Sequence, residues 1–165
     1  MELDKHAHKR RKRLEKYARK YRRKLESRLS GKGILFERIL DYETVAALKN
    51  NWLTNFAAGV NTDDIHIDEF MWHVFSYERL PCMKGDEATA RFLAQAKAHC
   101  YILFQSHNYA YYLEHAATLA PNDFVNDLDF NSSDLYVVSK SFNWTYVVTH
   151  ESTVGPYYYN KKMLL

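Results

Sequence analysis

Apolar residues recur at helical spacing along the N-terminal segment. The members of this stripe are Leu14, Ala18, Tyr21, Leu25 and Leu29. Their steps of 4, 3, 4 and 4 keep them on one face of a helix. Residues 5–29 contain no Gly or Pro, and Gly31 and Gly33 then supply residues that favour a helix end. The pattern predicts one helix over residues 5–29 with a narrow apolar stripe and polar side chains on its other faces.

Three later segments also have the features of helices. They cover residues 43–57, 85–96 and 106–119. The first has apolar residues at helical spacing and is compatible with a start as early as Phe36. The second has acidic residues in its first turn, where the helix dipole favours them. The third begins at Ser106, a residue type that often caps helices.

Apolar runs that lack helical spacing predict strands. Residues 70–80 are rich in aromatic and β-branched residues, and residues 100–105 form a continuous apolar run of the buried kind. Three more candidates follow at hairpin-like separations, namely "DLYVVSK", "WTYVVTHE" and "PYYYNK". We therefore predict an α+β fold with a basic N-terminal helix, followed by a mixed helix and strand domain that ends in a three-stranded antiparallel meander. We expect the helices of this domain to pack on one face of the strands.

Charge is distributed unevenly along the chain. Residues 1–32 hold 14 Lys and Arg against 4 Asp and Glu, a net charge of +10, whereas residues 33–165 hold 9 against 16, a net charge of −7. We predict a basic helical extension over residues 1–32 and an acidic α+β domain over residues 33–165. A hydrophobic content of 47% with 15% aromatic residues excludes disorder along the whole chain.

No targeting or membrane segment is evident in the sequence. No apolar run reaches the roughly 18–20 residues of a membrane helix. The start, "MELDKHAHKRRK", lacks the apolar region of a secretory signal. We therefore expect a cytoplasmic protein in which Cys82 and Cys100 are reduced and buried.

The cations of the N-terminal helix are dense enough to contact several phosphates. The candidate nucleic-acid-binding residues are Lys9, Arg10, Arg11, Lys12, Arg13, Lys16, Arg19, Lys20, Arg22, Arg23 and Lys24. No motif for reading bases accompanies them, so this binding would be directed at the backbone and sensitive to salt. Three alternatives stay open: a solvated helix, a helix docked on its own acidic domain, and a helix docked on another copy.

Metal-binding patterns are weak. The best group is His66, Asp68, Glu69 and His73, which lacks the spacing of a strong zinc motif. We interpret these residues as surface positions that lead into a strand, and we predict no metal site and no cofactor.

Catalytic patterns are weak as well. The sequence has no Gly-x-Ser-x-Gly motif and no Gly-rich phosphate loop. His150 and Glu151, at the end of a predicted strand, are the best catalytic candidates, and an enzyme would need a cleft that contains both side chains. A histidine that caps a strand end is the interpretation we favour. We predict no catalytic residue and no enzymatic activity.

Tyrosines give the strongest remaining signal. Tyrosine is favoured in interfaces because it buries a large area at low entropy cost. The candidate partner-binding residues are Tyr109, Tyr112, Tyr157, Tyr159 and His150. The alternative is a tyrosine-rich core rim, which needs no partner.

Three segments of the body carry a family resemblance. They are "WHVFSYERLPCMKGDEA", "CYILFQ" and "DLYVVSKSFNWTYVVTHESTVGPYYY". They resemble an uncharacterised family of Gram-positive bacteria, domain of unknown function 4275, over roughly residues 70–160, or about the C-terminal two thirds of the chain. The last segment is also loosely similar to small acidic immunity proteins that neutralise bacterial toxins. The resemblance implies a bacterial, cytoplasmic, non-enzymatic protein, supplies no site residues and does not extend to the basic helix.

These observations lead to one functional hypothesis and one alternative. We predict a non-enzymatic protein-interaction module, inhibitory or immunity-like, that acts through an acidic, tyrosine-rich surface. Its partner would be another protein or a second copy of the chain, since complementary charge speeds capture of a basic partner. The alternative is sequence-nonspecific nucleic-acid binding through the basic helix. We predict no membrane binding and identify no small-molecule substrate.

Overall fold

The computed structural model describes residues 1–58, 71–78, 80–124, 134–151 and 153–164. The helices of these residues are α1 (Glu2–Gly31), α2 (Tyr42–Phe56), α3 (His73–Ser76), α4 (Gly85–Ala94), α5 (Pro121–Phe124) and a 3-10 helix (Lys161–Leu164). The strands are β1 (Leu35–Ile39), β2 (Met83–Lys84), β3 (His99–Phe104), β4 (Ala110–Glu114), β5 (Leu135–Ser139), β6 (Trp144–Val148) and β7 (Tyr157–Asn160). The predicted α+β class is confirmed.

The seven described strands form one sheet in the order β1-β4-β3-β5-β6-β7-β2. Every neighbouring pair is antiparallel. Strands β5, β6 and β7 are neighbours, but β5 also pairs with β3 and β7 also pairs with β2. The three C-terminal strands are therefore part of one continuous sheet, whose outer strands among the described residues are β1 and β2.

Helices cover both faces of this sheet. Helices α1, α4 and α5 pack on one face, and α2 and α3 pack on the other. Successive strand residues alternate between the two cores: Ile102 lies in the first and Leu103 in the second. The expectation that the helices pack on one face was wrong. Central strands such as β3 are apolar on both sides, and each side needs its own cover.

Helix α1 docks through the stripe that the sequence predicts. Tyr21, Leu25 and Leu29 are buried in the same core as β3 and β4. The helix ends where Gly33 adopts a φ of +71° and the amide of Ile34 donates to the carbonyl of Leu29 at 3.0 Å. A boundary between residues 32 and 33 would therefore divide one hydrophobic core.

Several predicted elements agree with the structure. The helix predicted over residues 43–57 is α2, the helix predicted over residues 85–96 is α4, and the strand predicted over residues 100–105 is β3. Helix α2 starts after Asp41, whose side chain accepts a hydrogen bond from the Thr44 amide at 2.9 Å. A helix start as early as Phe36 is wrong, because Phe36 lies within strand β1.

Two predicted elements are wrong. The segment 106–119 contains strand β4 rather than a helix, and its apolar residues Tyr109, Tyr111 and Leu113 alternate toward one core. The described part of segment 70–80 contains the short helix α3 rather than a strand. Residues 71–75 are all buried, and a short run that is apolar throughout does not distinguish a buried strand from a buried helical turn.

The described helices include none that combines the length and the apolar character needed to cross a bilayer.

Candidate functional site

An open groove of about 650 Å³ lies at one corner of the sheet, on the face that also carries α2. We call it the sheet groove. It is lined by Glu37, Asp41, Tyr101, Tyr112, Glu114 and Lys140, among others. Its floor is the β1, β4 and β3 corner, and its wall is the turn that leads into α2.

The groove exists because α2 covers only one end of these strands. The side chains of Val45, Leu48 and Trp52 pack in the core that includes Leu103 and Ala110. The other ends of the strands continue past this core. There Glu37 is opposite Tyr112, which is opposite Tyr101 on the next strand. Directly opposed residues on antiparallel strands share a face, so these side chains form one row.

Aromatic rings form the floor of the sheet groove. The ring centroids of Tyr101 and Tyr112 are 5.3 Å apart, and both side chains are half-buried. The His99 ring stacks beside Tyr112, with its Nδ1 3.1 Å from the Tyr112 hydroxyl. Lys140 Nζ lies 5.7 Å from the centre of the Tyr112 ring. The floor therefore offers aromatic faces that are accessible to a ligand.

Carboxylates surround this floor. Glu37, Asp41 and Glu114 line the groove, against the single unpaired cation Lys140 among the described lining residues. The neighbouring Arg38 does not balance them, because its guanidinium binds Glu26 on the opposite face at 2.5 and 2.6 Å. Hydrogen bonds from Thr44 lower the pKa of Asp41, so this carboxyl is ionised at neutral pH. The groove is therefore acidic.

Exposed apolar side chains border the groove. Leu35 is 55% exposed, Leu40 is 65% exposed and Tyr42 is 66% exposed. Leu35 lies in β1, Leu40 lies in the turn that follows it, and Tyr42 is the first residue of α2. Three large exposed apolar residues in one short segment are typical of an interaction surface rather than of scattered surface positions.

The predicted partner-binding tyrosines lie in different places. Tyr112 lies in the sheet groove. Tyr109, Tyr157 and Tyr159 are 6%, 3% and 5% exposed and belong to the cores, so they are unavailable as a binding surface in this structure. Alternation along β4 separates Tyr112 from Tyr109, in a segment for which the sequence pattern predicts a helix, whereas Tyr157 and Tyr159 lie in β7.

The fifth predicted partner residue, His150, lies outside the lining of the sheet groove. Its Nδ1 is 2.8 Å from Oδ1 of the buried Asp134, which also accepts a hydrogen bond from the His150 backbone amide at 2.7 Å. Oε1 of Glu151 lies 3.7 Å from His150 Nε2. The Asp134 carboxylate thus fixes the imidazole at the end of β6, which fits a role in holding the strand end.

Thiol chemistry receives no support from the described residues. Cys100 is buried and Cys82 is half-buried, and both are free cysteines. Burial raises the pKa of Cys82 to about 11 and that of Cys100 to about 12. Both are therefore protonated thiols at neutral pH.

Metal chemistry receives no support either. No group of three or more metal-ligating side chains occurs in the described ranges. The weak metal candidates His66, Asp68 and Glu69 lie outside these ranges. His73 is buried in α3, so its interpretation as a surface position before a strand was wrong.

The candidate nucleic-acid-binding residues all lie on helix α1. Nine of the eleven are exposed, whereas Arg22 and Lys24 are half-buried. The guanidinium of Arg22 lies 4.7 Å from the centre of the Tyr109 ring. Eight form no ion pair with the part of the chain that the structure describes, namely Lys9, Arg10, Arg11, Lys12, Lys16, Arg19, Lys20 and Arg23. A large cationic surface thus stays in solvent after α1 has docked.

Comparison with known proteins connects the chain to one protein family. The model of a family described as "Domain of unknown function (DUF4275)" matches residues 23–158. The match begins inside α1 and includes its docked C-terminal part, which the sequence resemblance did not include. Neither the curated proteins nor the solved structures provide a significant match.

Proposed function

The chain belongs to the DUF4275 family, and we propose that it is a non-enzymatic protein-interaction module whose sheet groove binds a basic polypeptide segment. The observation that carries this proposal is the combination of carboxylates and aromatic faces in one open groove. A cytoplasmic, bacterial setting and an inhibitory, immunity-like role belong to the same proposal and rest on the sequence resemblance.

The chemistry of the groove favours Lys and Arg side chains. A carboxylate forms charge-assisted hydrogen bonds with an ammonium or guanidinium group, and an aromatic face attracts the same cations. Glu37 and Glu114 flank the Tyr112 ring in the strand register, so one cation can contact a carboxylate and a ring together. The exposed Leu35 and Leu40 at the border would receive apolar side chains of the same segment. This arrangement supports a partner with alternating cationic and apolar residues.

Binding of a labelled basic peptide, measured by fluorescence anisotropy, tests this proposal. We expect the Glu37→Gln/Glu114→Gln variant to bind at least about tenfold more weakly, because two charge-assisted hydrogen bonds are removed. The matched control is Asp86→Asn/Glu87→Gln, which removes the same charge from exposed residues of α4. Equal weakening by both variants, or no binding at low salt when the peptide is in large excess over the protein, would contradict the proposal.

A second candidate function is binding of nucleic acid through the exposed cations of α1. The observation in its favour is the set of eight cations without an ion-pair partner among the described residues. Such a surface would contact phosphates without reading bases, and its affinity would fall steeply with salt.

Titration of a labelled duplex at low and at moderate salt tests this second candidate. The variant Arg10→Gln/Arg11→Gln/Lys12→Gln should bind more weakly. Its salt dependence should decrease by about 0.9 in log–log slope for each phosphate that is no longer neutralised. Absence of duplex binding at low salt would exclude the candidate.

A further inference from the structure

The N-terminal part of α1, residues 1–12, is a cationic helical segment that lies in solvent, and we call it the basic arm. Every residue of the arm is exposed, including Met1 at 102% and Leu3 at 88%. The sheet groove is a second uncovered surface, with the opposite charge. From these two surfaces we infer that the groove binds the basic arm of a second copy of this chain. This inference rests on the proposed function, because it names the partner of the same groove.

The arm and the groove have complementary charge. The arm holds five Lys and Arg against two Asp and Glu. The groove is lined by Glu37, Asp41 and Glu114, against Lys140. Opposite charges that face each other across an interface accelerate association and fix its orientation.

The arm and the groove are also complementary in their apolar residues. Leu3 and Ala7 are four residues apart and therefore lie on one face of the helix. This face leads through Leu14 into the stripe of Tyr21 and Leu25, which the protein's own core covers. At Leu3 and Ala7 the same face is exposed. The face of Leu3 and Ala7 would contact the exposed apolar side chains at the groove border, which lie in β1 and in the turn after it.

An arm cannot enter the groove of its own chain. The docked half of α1 packs on the sheet face opposite the groove, with Leu25 in one core and Tyr101 against the other. The helix runs without interruption from Glu2 to Gly31, so the arm continues along the axis of the docked half for about 18 Å and does not fold back around the sheet to the groove. Occupancy of the groove therefore requires a second copy.

Exchange of arms between two copies would give a dimer in which no arm or groove is left to bind a third copy. Each copy contributes one arm and one groove, so both contacts form at once in a two-fold dimer. The second contact is then intramolecular, which strengthens the pair beyond either contact alone. Nucleic acid and the groove would compete for the same cations, since Arg10 and Arg11 serve both.

Sedimentation velocity after nuclease treatment tests this inference. We expect dimers at about 0.1 M salt and mostly monomers at about 1 M, where the Debye length falls from about 10 Å to about 3 Å. Glu37→Lys/Glu114→Lys should weaken dimerisation at least about tenfold, and so should Arg10→Glu/Arg11→Glu. The control Asp86→Lys/Glu87→Lys, on α4, should still form dimers.

Mixing the two charge-reversed variants gives the decisive result. The arm of the first variant is basic and fits the acidic groove of the second, and the acidic arm of the second fits the reversed groove of the first. We expect the mixture to form a heterodimer although each variant alone is monomeric. A mixture that stays monomeric would overturn the inference, as would a dimer that disappears on nuclease treatment. A monomeric wild-type protein that still binds the basic peptide would overturn this inference and leave the proposed function standing, whereas a monomeric protein that does not bind the peptide would overturn both.

Discussion

The two halves of helix α1 are both rich in cations but lie in opposite environments. In the C-terminal half, Tyr21, Leu25 and Leu29 are buried in the core of the sheet. In the basic arm, every residue is exposed. The apolar stripe of Leu14 to Leu29 does not extend into the arm, which places only Leu3 and Ala7 on the same face, so the two halves differ in sequence as well as in environment.

The contacts of the docked half include an ion pair that runs against the overall charge of the two segments. Glu26, an acid on the basic helix, binds Arg38 of the acidic body. Lys32, just after the helix, binds Asp123 at 2.8 Å, and the Tyr21 hydroxyl donates to the carbonyl of Phe124 at 2.8 Å. These contacts surround a buried apolar seam that consists of Tyr21, Leu25 and Leu29. Burial of that seam stabilises the docked half, whereas the cations of the basic arm are exposed.

The largest loss of stability is expected from a truncation within the apolar seam. Leu25 is fully buried, and Leu25→Ala should reduce the free energy of unfolding by about 2–5 kcal/mol, from lost burial and a residual cavity. The matched variant in the arm, Leu3→Ala, measured at about 1 M salt where the chain is mostly monomeric, should change it by less than about 0.5 kcal/mol, because Leu3 is exposed in the single chain. Urea denaturation followed by circular dichroism measures both. Similar losses in the two variants would show that the arm is packed as tightly as the docked half.

A smaller effect is expected from Glu26. This carboxylate accepts hydrogen bonds from Arg38 and from the buried Tyr111 hydroxyl, at 2.9 Å for the latter. Glu26→Gln should therefore cost about 1–3 kcal/mol at neutral pH. The exposed Glu15→Gln on the same helix is the control and should cost less than about 0.5 kcal/mol.

The cost of Glu26→Gln should also depend on pH. The hydrogen bond from Arg38 holds the pKa of Glu26 below its usual value of 4.5, although burial opposes this shift. The unfolded chain therefore binds the proton more readily, and the stabilisation is complete above pH 4.5 and disappears as the pH falls through the lowered folded pKa. The difference between wild type and variant should narrow below pH 4.5. A difference that is constant across this range would show that the carboxylate charge plays no part.

The stripe of α1 is predictable because the period of an apolar face depends on local sequence alone. The spacing of Tyr21, Leu25 and Leu29 predicts one covered face, and the structure buries all three. The residues that cover this face are not predictable in this way, because they come from elements that are far apart in the chain. Arg38 is one example, since it reaches Glu26 from strand β1, whose position in the sheet depends on its pairing with β4.

The sheet groove is only partly predictable for the same reason. The sequence indicates Tyr112 as a candidate, but as a helical residue. Glu37, Tyr101 and Glu114 join it only through the register of β1, β4 and β3. The tyrosine-rich run of segment 109–113 favours a strand, but Ser106 gives a competing helix-start signal. The open end of the groove depends on where α2 begins, and the side-chain cap just before its first residue sets that position.

The smallest effect on stability is expected in the basic arm, where substitutions compare the arm directly with the docked half of α1. In the monomeric Glu37→Lys/Glu114→Lys background, Arg10→Gln/Arg11→Gln/Lys12→Gln should leave the free energy of unfolding unchanged within about 0.5 kcal/mol, because these side chains are exposed. Local stability of the arm should rise, because like charges one turn apart each cost about 0.2–0.5 kcal/mol. Hydrogen exchange of the arm amides in the monomeric Glu37→Lys/Glu114→Lys background measures this. We expect severalfold slower exchange over residues 5–12 and no change around Leu25, whose amide opens only with the core. The same monomeric background without the three arm substitutions is the reference. If its arm amides exchanged as slowly as those around Leu25, the arm would be packed against other residues, and the contrast between the two halves would be wrong.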